Sequence, residues 1–331
     1  MVPGRGPDLR GDRAALTTDS GGRVFVIFNP ASGRGRGQGR IAAYRALLDE
    51  HIPGYGHGLT TRPGEEADLA ARAVADGYGT VVAVGGDGTW SYVADRLVEM
   101  GAPVRFGLLP SGTGNDFGRG LGLTYANPGE AVRALATGRT RRVDVGRILT
   151  PTRSADHPAA KTVARRHFLN LVGFGFDIAV IDAARRARFL KGEILYKATA
   201  VQELFRFPGI ELSIQDGGGY RREGRHLMLT ISNGRFFGGG FPIAPEAAPD
   251  DGLLHACAIG DAGPMARAAL FNAAGKGRHV RSPRVEIRSS RSFRIDFPRP
   301  PRFEVDGDVF TTESTSVDVE VVPGALEVVG G

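Results

Sequence analysis

Cysteine is nearly missing from the 331 residues: Cys257 is the one copy, which excludes a disulfide within the chain and points to a reducing compartment. Lysine is almost as scarce, at positions 161, 191, 197 and 276 out of 42 lysines and arginines, so arginine carries the net charge of +6. No run approaches the roughly 18 apolar residues that span a bilayer. Residues 1–21 lack the apolar core of a secretory signal and read as a flexible leader. A cytoplasmic protein is expected. Two motifs are also absent, the lysine-bearing phosphate loop G-x-x-x-x-G-K-[ST] and the G-x-S-x-G nucleophile turn. The basic balance favours acidic partners, yet no zinc pattern, RNP-like element or helix-turn-helix signal argues for nucleic acid.

What is present is the composition of a globular protein large enough for two cores, with 41% hydrophobic and 24% charged residues. From residue 22 to about 140, apolar strand-like runs alternate with helix-like ones. "RVFVIFNP" (23–30), "TVVAV" (80–84) and "VRFGLLP" (104–110) read as strands, and 41–50, 65–77, 90–101 and 128–138 as helices. That alternation predicts a three-layer α/β domain with a mostly parallel sheet. From about 141 to 317 the rhythm changes to short strands separated by turn residues, with helical insertions near 177–206 and 263–277. The second domain is therefore expected to be β-rich, a sandwich or open barrel, with residues 318–331 returning to the first.

Three glycine-rich stretches follow the predicted parallel strands: "NPASG" (29–33), "GGDGTWS" (85–91) and "PSGTGND" (110–116). Ligands of open α/β sheets sit beyond the carboxyl ends of the strands. Glycine tolerates positive φ and lets peptide N–H groups approach a ligand, so each loop is a tight turn or an anion cradle, and three at one edge favour a phosphate site. Without a loop lysine, phosphate charge must be met by amides, arginines or a hydrated metal.

"GGDGT" with "PSGTGNDF", followed by "APEAAPDDGLL" (244–254) and "FEVDGDVF" (303–310), resembles the diacylglycerol kinase catalytic-domain superfamily, in particular soluble bacterial lipid kinases. The resemblance implies an ATP- and Mg²⁺-dependent lipid kinase whose nucleotide lies in the cleft between the two domains. Carried over, the nucleotide contacts are Asn29, Pro30, Ala31, Ser32, Gly33, Thr60, Gly85, Gly86, Asp87, Gly88, Thr89, Trp90, Ser91, Gly112, Thr113, Asn115 and Asp116. Ser91 stands where the family usually has asparagine. Asp87, Asp116 and Asp144 would organise magnesium and its water, and Ala248, Asp251 and Leu253 a second, structural magnesium. Asp306 would be the general base and Asp308, in place of the usual glutamate, its supporting carboxylate. Read from the residues alone, "VDGD" is equally an Asp-Gly hairpin turn and "PDDG" a hairpin entry.

A lipid acceptor calls for apolar surface edged by cations. Residues 183–209 have that character and read either as such a surface or as a helix pair with a solvated basic face; the aromatic-glycine stretch 232–245 is a second candidate. The expected partner is the lipid substrate at the inner face of a membrane, bound peripherally and with anionic lipid, and a homodimer is left open. Two other readings stand beside the lipid kinase: a kinase of the NAD kinase type with a soluble acceptor, and an inactive lipid- or nucleotide-binding regulator.

Overall fold

The apolar runs of the first 140 residues are buried strands of one sheet. In a computed structural model of the chain, which describes residues 22–35, 37–123, 127–155, 161–186 and 202–330, β1 (Val24–Phe28) pairs in parallel with β2 (Gly56–Leu59) on one side and β3 (Thr80–Gly85) on the other. β4 (Arg105–Pro110) extends the sheet beyond β3, also in parallel. The leader 1–21 lies outside the described residues. The chain divides into two units, one running to Val143 and resuming at Gly324, the other Asp144–Pro323.

In the first unit the helices are α1 (Gly37–His51), α2 (Glu65–Ala75), α3 (Asp87–Met100), α4 (Asp116–Gly120) and α5 (Pro128–Ala136). Ile41, Tyr44 and Leu48 of α1 and Val132 and Leu135 of α5 pack on Val26, Val82 and Leu109 of the sheet. Leu69 of α2 lies over the opposite face, beside Phe25. The expected three layers are present. α5 starts where Asn127 accepts a hydrogen bond from Glu130 N (3.1 Å) with Pro128 in the first turn. α3 begins three residues earlier than its apolar spacing predicts, at Asp87, because Gly86 in extended conformation hands the strand directly to the helix.

The second unit is antiparallel and β-rich. Its strands are β5 (Thr140–Ile148), which enters it from the first unit, β6 (Arg153–Ser154), β7 (Arg166–Phe168), β8 (Leu171–Gly175), β9 (Ile210–Asp216), β10 (Arg221–Ser232), β11 (Leu254–Gly260), β12 (Val285–Ser290), β13 (Ser292–Asp296), β14 (Arg302–Val305), β15 (Asp308–Thr311) and β16 (Ser316–Val329). Among the described residues two helices interrupt them, α6 (Phe176–Arg186) and α7 (Pro264–Ala274), with a helical turn at 202–206. β10 serves two neighbourhoods: Arg221 to His226 pair with β9, and Met228 to Ser232 with β8. The core is filled from both, by Leu212 and Ile214 of β9, Phe174 of β8, Leu229 and Ile231 of β10, and Phe293 and Ile295 of β13. This is the expected sandwich-like build. Cys257 is buried in β11, where burial pushes its thiol up to about 12 and leaves it unreactive. β16 ends by pairing Glu327 to Val329 in parallel with β4 of the first unit's sheet. Of the basic–apolar stretch 183–209, residues 187–201 lie outside the described residues.

Candidate active site

In the first unit the three glycine-rich loops, far apart in sequence, are tied to one another. The first and second meet through Asn29, whose Nδ2 donates to Thr89 Oγ1 (2.8 Å) and Glu66 Oε1 (3.0 Å), while its Oδ1 accepts from Ala31 N (2.9 Å). The first and third meet through the Ser32 and Ser111 hydroxyls, 2.6 Å apart. The second and third touch backbone to backbone: a Cβ on Gly112 would lie 2.5 Å from Gly86 Cα. Asp87 Oδ1 also accepts from Phe117 N (3.1 Å), at the start of α4. Asn115 holds the third loop by bonding Gly112 N and O, with φ 52°. Arg40 Nη1 donates to Ser111 O (2.9 Å) and Tyr44 OH to Pro110 O (2.9 Å), so α1 braces the same loop.

Two features make this cluster fit an anion with a cation beside it. α3 has no side-chain cap at its N-terminus, so its first peptide N–H groups and the helix dipole point out between the loops. The carboxylates of Asp87 and Asp116 converge on Gly114: a Cβ there would sit 3.1 Å from one Oδ2 and 3.4 Å from the other. No cluster of three or more acidic, histidine or cysteine side chains able to cage a metal occurs among the described residues. Two carboxylates suit Mg²⁺, which keeps several waters and shares its remaining ligands with phosphate.

The sequence-predicted residues do not all face this space. Gly33, Asp87 and Gly88 lie about the loops half-buried, and Ala31 and Thr113 are exposed. Thr60, at the end of β2, is buried, its N–H donating to Phe28 O. Trp90 and Ser91 lie on the inner side of α3, both 1% exposed. The Trp90 indole donates to Ala83 O and its peptide N–H to Gly86 O, so its donors are spent inside the protein. An α3 that starts at Asp87 rotates these two positions into the core.

In the second unit the predicted residues form a second network. Asp306 and Gly307 make a two-residue hairpin between β14 and β15, with φ 49° and 98°, the signature of a type I′ turn. Among the described residues, Asn115 and Asp306 are the non-glycine positions with positive φ, and both lie on these candidate loops. The Asp306 carboxylate, 4% exposed, accepts three peptide hydrogen bonds, from Leu169, Asn170 and Leu171 at 2.8, 2.9 and 3.0 Å. Asp308, one residue beyond the turn, is half-buried. Asn233 Nδ2 bridges Leu169 O and Asp144 O, and Asp144 Oδ2 accepts from Gly252 N (2.7 Å), so Asp144 is tied to the "PDDG" turn.

In that turn the expected ligands of the structural magnesium are already hydrogen-bonded within the protein. Of its two carboxylates, Asp250 is exposed and Asp251 has both oxygens engaged, Oδ1 by Leu253 N and Oδ2 by Ala248 N and by His255 Nε2 at 2.8 Å. The Ala248 carbonyl accepts from Asp251 N.

Sequence reasoning passed over Arg40, which lay inside a glycine–arginine stretch without visible address, and over a buried acid pair. Asp177 opens α6 and Glu304 lies in β14; they are 2% and 3% exposed. Among the described residues neither oxygen of Asp177, nor Oε2 of Glu304, has a donor within hydrogen-bond distance and angle, while Glu304 Oε1 accepts from Gly307 N (2.9 Å). Ionised carboxylates only accept, so a single proton between the two is what satisfies them. Burial pushes Asp177 up to about 7 and Glu304 well above the usual carboxylate range, the latter raised further by the charges of Asp177 and Asp306. Gly173 leaves the space for this pair, since a methyl there would overlap the Asp177 carboxylate.

A parallel α/β unit with anion-binding loops beyond its strands, followed by a sandwich-like unit carrying acid-bearing turns, defines a two-domain phosphate-handling protein without a lysine phosphate loop. Residues 23–148 match the diacylglycerol kinase catalytic domain, and residues 170–330 the YegS C-terminal NAD kinase beta sandwich-like domain. A YegS-like lipid kinase from Xanthomonas euvesicatoria pv. vesicatoria is 31% identical over 274 residues, 81% of this chain and 84% of that one. A diacylglycerol kinase from Mycobacterium tuberculosis (strain ATCC 25618 / H37Rv) is 29% identical over 314 residues, 93% of this chain and 94% of that one. The crystal structure of a diacylglycerol kinase from Bacillus anthracis str. Sterne shares the fold, with a TM-score of 0.68 at 18% identity over 95% of this chain and 98% of the other. The chain belongs to the diacylglycerol kinase catalytic-domain family.

Proposed function

We propose that the chain is a phosphotransferase that moves the γ-phosphoryl group of ATP to the hydroxyl of diacylglycerol or a related lipid alcohol. The observation that carries this reading is the knitting of three glycine loops around two converging carboxylates, Asp87 and Asp116, beside the uncapped start of α3. Phosphate oxygens would meet the α3 amides and loop N–H groups, with Arg40 nearby as the cation that no lysine supplies. Mg²⁺ held by Asp87 and Asp116 would neutralise charge on the phosphates. In the transfer itself the lipid oxygen forms its bond to the γ-phosphorus, the bond to the β-bridging oxygen breaks, and the hydroxyl proton passes to a carboxylate.

The surroundings of Asp306 support exchanging the two roles read from sequence. A carboxylate whose two oxygens already accept three peptide N–H bonds is a strong brace, holding Leu169 to Leu171 against the turn. Asp308 is then the base and Asp306 the residue that sets it.

The test is incubation of the purified protein with γ-labelled ATP, magnesium and separately diacylglycerol, other lipid alcohols or NAD. Label is expected in the lipid phase. Label in NADP instead, or no product while ATP still binds, would replace the reading by the soluble-acceptor kinase or the inactive binder. Gly112→Ala is expected to weaken ATP binding by roughly 10- to 100-fold in a calorimetric titration, because its methyl meets the Gly86 backbone and forces two loops apart, an overpacking cost of about 1–3 kcal/mol. An unchanged affinity would mean that the loops do not act as one cradle.

A further inference from the structure

α7 breaks the usual rule for a surface helix. An outward helix face is normally charged, yet the exposed and half-exposed positions of α7 are proline, methionine, alanine, phenylalanine and asparagine. Its single charged residue, Arg267, is turned inward and 6% exposed. The Arg267 guanidinium clamps other backbone: Nη1 donates to Leu204 O and Phe207 O at 2.7 Å each, Nε to Ala262 O at 2.8 Å, and Nη2 bonds Asp261. This fixes the 202–207 segment against α7 and brings two exposed apolar side chains to one region, Phe205 at 44% and Met265 at 83% exposure.

The other end of α7 runs into "KGRHVRSPR", residues 276–284, which holds Lys276, Arg278, Arg281 and Arg284 and no acid. All four are exposed, and none takes part in an ion pair among the described residues, unlike Arg222, Arg225 and Arg288 elsewhere in this unit. The run is held in place by His279, which is buried with Nε2 against Ile243 O (3.0 Å), and by Arg278 N donating to Ala273 O (2.8 Å). An uncharged exposed helix face ending in a fixed run of unpaired cations is the chemistry of an anionic lipid surface, where apolar side chains enter the headgroup boundary and cations meet phosphate.

We infer that α7 with the Lys276–Arg284 run and Phe205 is the face by which this protein docks on an anionic bilayer. The inference rests on the lipid-acceptor reading for its purpose and locates its membrane contact mainly in α7 and residues 276–284, outside both stretches favoured by sequence, with Phe205 from the first of them at its edge. Each cation contributes about fivefold to binding and the inserted side chains add to it. The face leaves the acceptor's chemistry to the acid-bearing turns and supplies the surface on which the acceptor is found.

The experiment is co-sedimentation with phosphatidylcholine vesicles, with and without phosphatidylglycerol, in the absence of nucleotide, so that binding is read apart from turnover. The protein is expected to pellet with the anionic vesicles only. Replacing Lys276, Arg278, Arg281 and Arg284 together by glutamine should lower the partition coefficient by more than about a hundredfold. Met265→Gln with Phe205→Gln should lower it about tenfold or more, each variant melting as the parent does. Arg221→Gln with Arg225→Gln, equally exposed but ion-paired on β10, is the control and should bind as the parent. The inference is overturned if the control loses as much binding as the quadruple variant, if neutral vesicles bind equally, or if light scattering shows a dimer that Met265→Gln dissociates. Loss of kinase activity with vesicle binding intact would instead count against the lipid-kinase reading alone.

Discussion

Asp308→Asn is expected to bind ATP as the parent protein does and to lose phosphoryl transfer by about 10²- to 10⁴-fold, the usual contribution of a general base. Asp306→Asn is expected to fail differently. Its side chain accepts hydrogen bonds from three successive peptide groups, two at Oδ1 and one at Oδ2. An amide of the same shape tolerates the left-handed backbone at φ 49°, but one end becomes a donor facing N–H groups. Leaving one or two buried peptide donors without an acceptor costs about 1–3 kcal/mol each. Asp306→Asn should therefore melt several degrees lower, with transfer reduced through a loosened turn. Thermal melts, calorimetric ATP titration and single-turnover transfer on both variants separate the cases. If Asp306→Asn melts normally and is dead while Asp308→Asn turns over, the roles stand as the sequence alone suggested.

The fold class was legible because its signals are local. Apolar runs of β1, β3 and β4 separated by helical spacing announce a parallel α/β sheet, and Asn127-Pro128 announces the start of α5. Glycine at the strand ends announced the loops. That Ser32 meets Ser111 and Asn29 meets Thr89 was not legible, because contacts across 79 and 60 residues leave no mark in a single sequence. Trp90 and Ser91 entered the candidate site through the family resemblance; a helix starting at Asp87 turns their side chains inward, and that start follows the extended conformation of Gly86. In "VDGD" either acid could have faced the chemistry. The hairpin register, pairing Val305 with Asp308, and the amides of Leu169 to Leu171 decide which one is spent on structure. His255 standing against Asp251 is equally invisible before folding, since it lies in an apolar strand four residues on.

Asp177→Asn should make the protein more stable above neutral pH, although it removes a buried group at the start of a helix. The Asp177 carboxyl is raised by burial to about 7, opposite Glu304, which is itself raised, and Asp306 adds its charge to Glu304. Arg302 of β14 and Asp182 of α6, charged neighbours on the packed elements, bond each other at 2.8 and 3.0 Å, and Asp308 of β15 adds negative charge. The fold selects the protonated form of Asp177. Its contribution is thus complete below the unfolded value of about 4 and is lost as pH rises through the folded value. Above that, a charge stands in a buried space that Gly173 only just leaves open. Asparagine keeps a permanent donor toward Glu304 Oε2 and cannot ionise. The variant should match the parent near pH 4 and exceed it at pH 8 by an amount on the order of 2–4 kcal/mol, so that the parent's decline in melting temperature across this range is flattened. A variant that melts below the parent at every pH, or that retains the parent's slope, would show that the two carboxyls do not share a proton. Because Glu304 Oε1 holds Gly307 N beside Asp308, the same titration should appear in the parent's transfer rate as a fall on the alkaline side, moved upward in pH by Asp177→Asn.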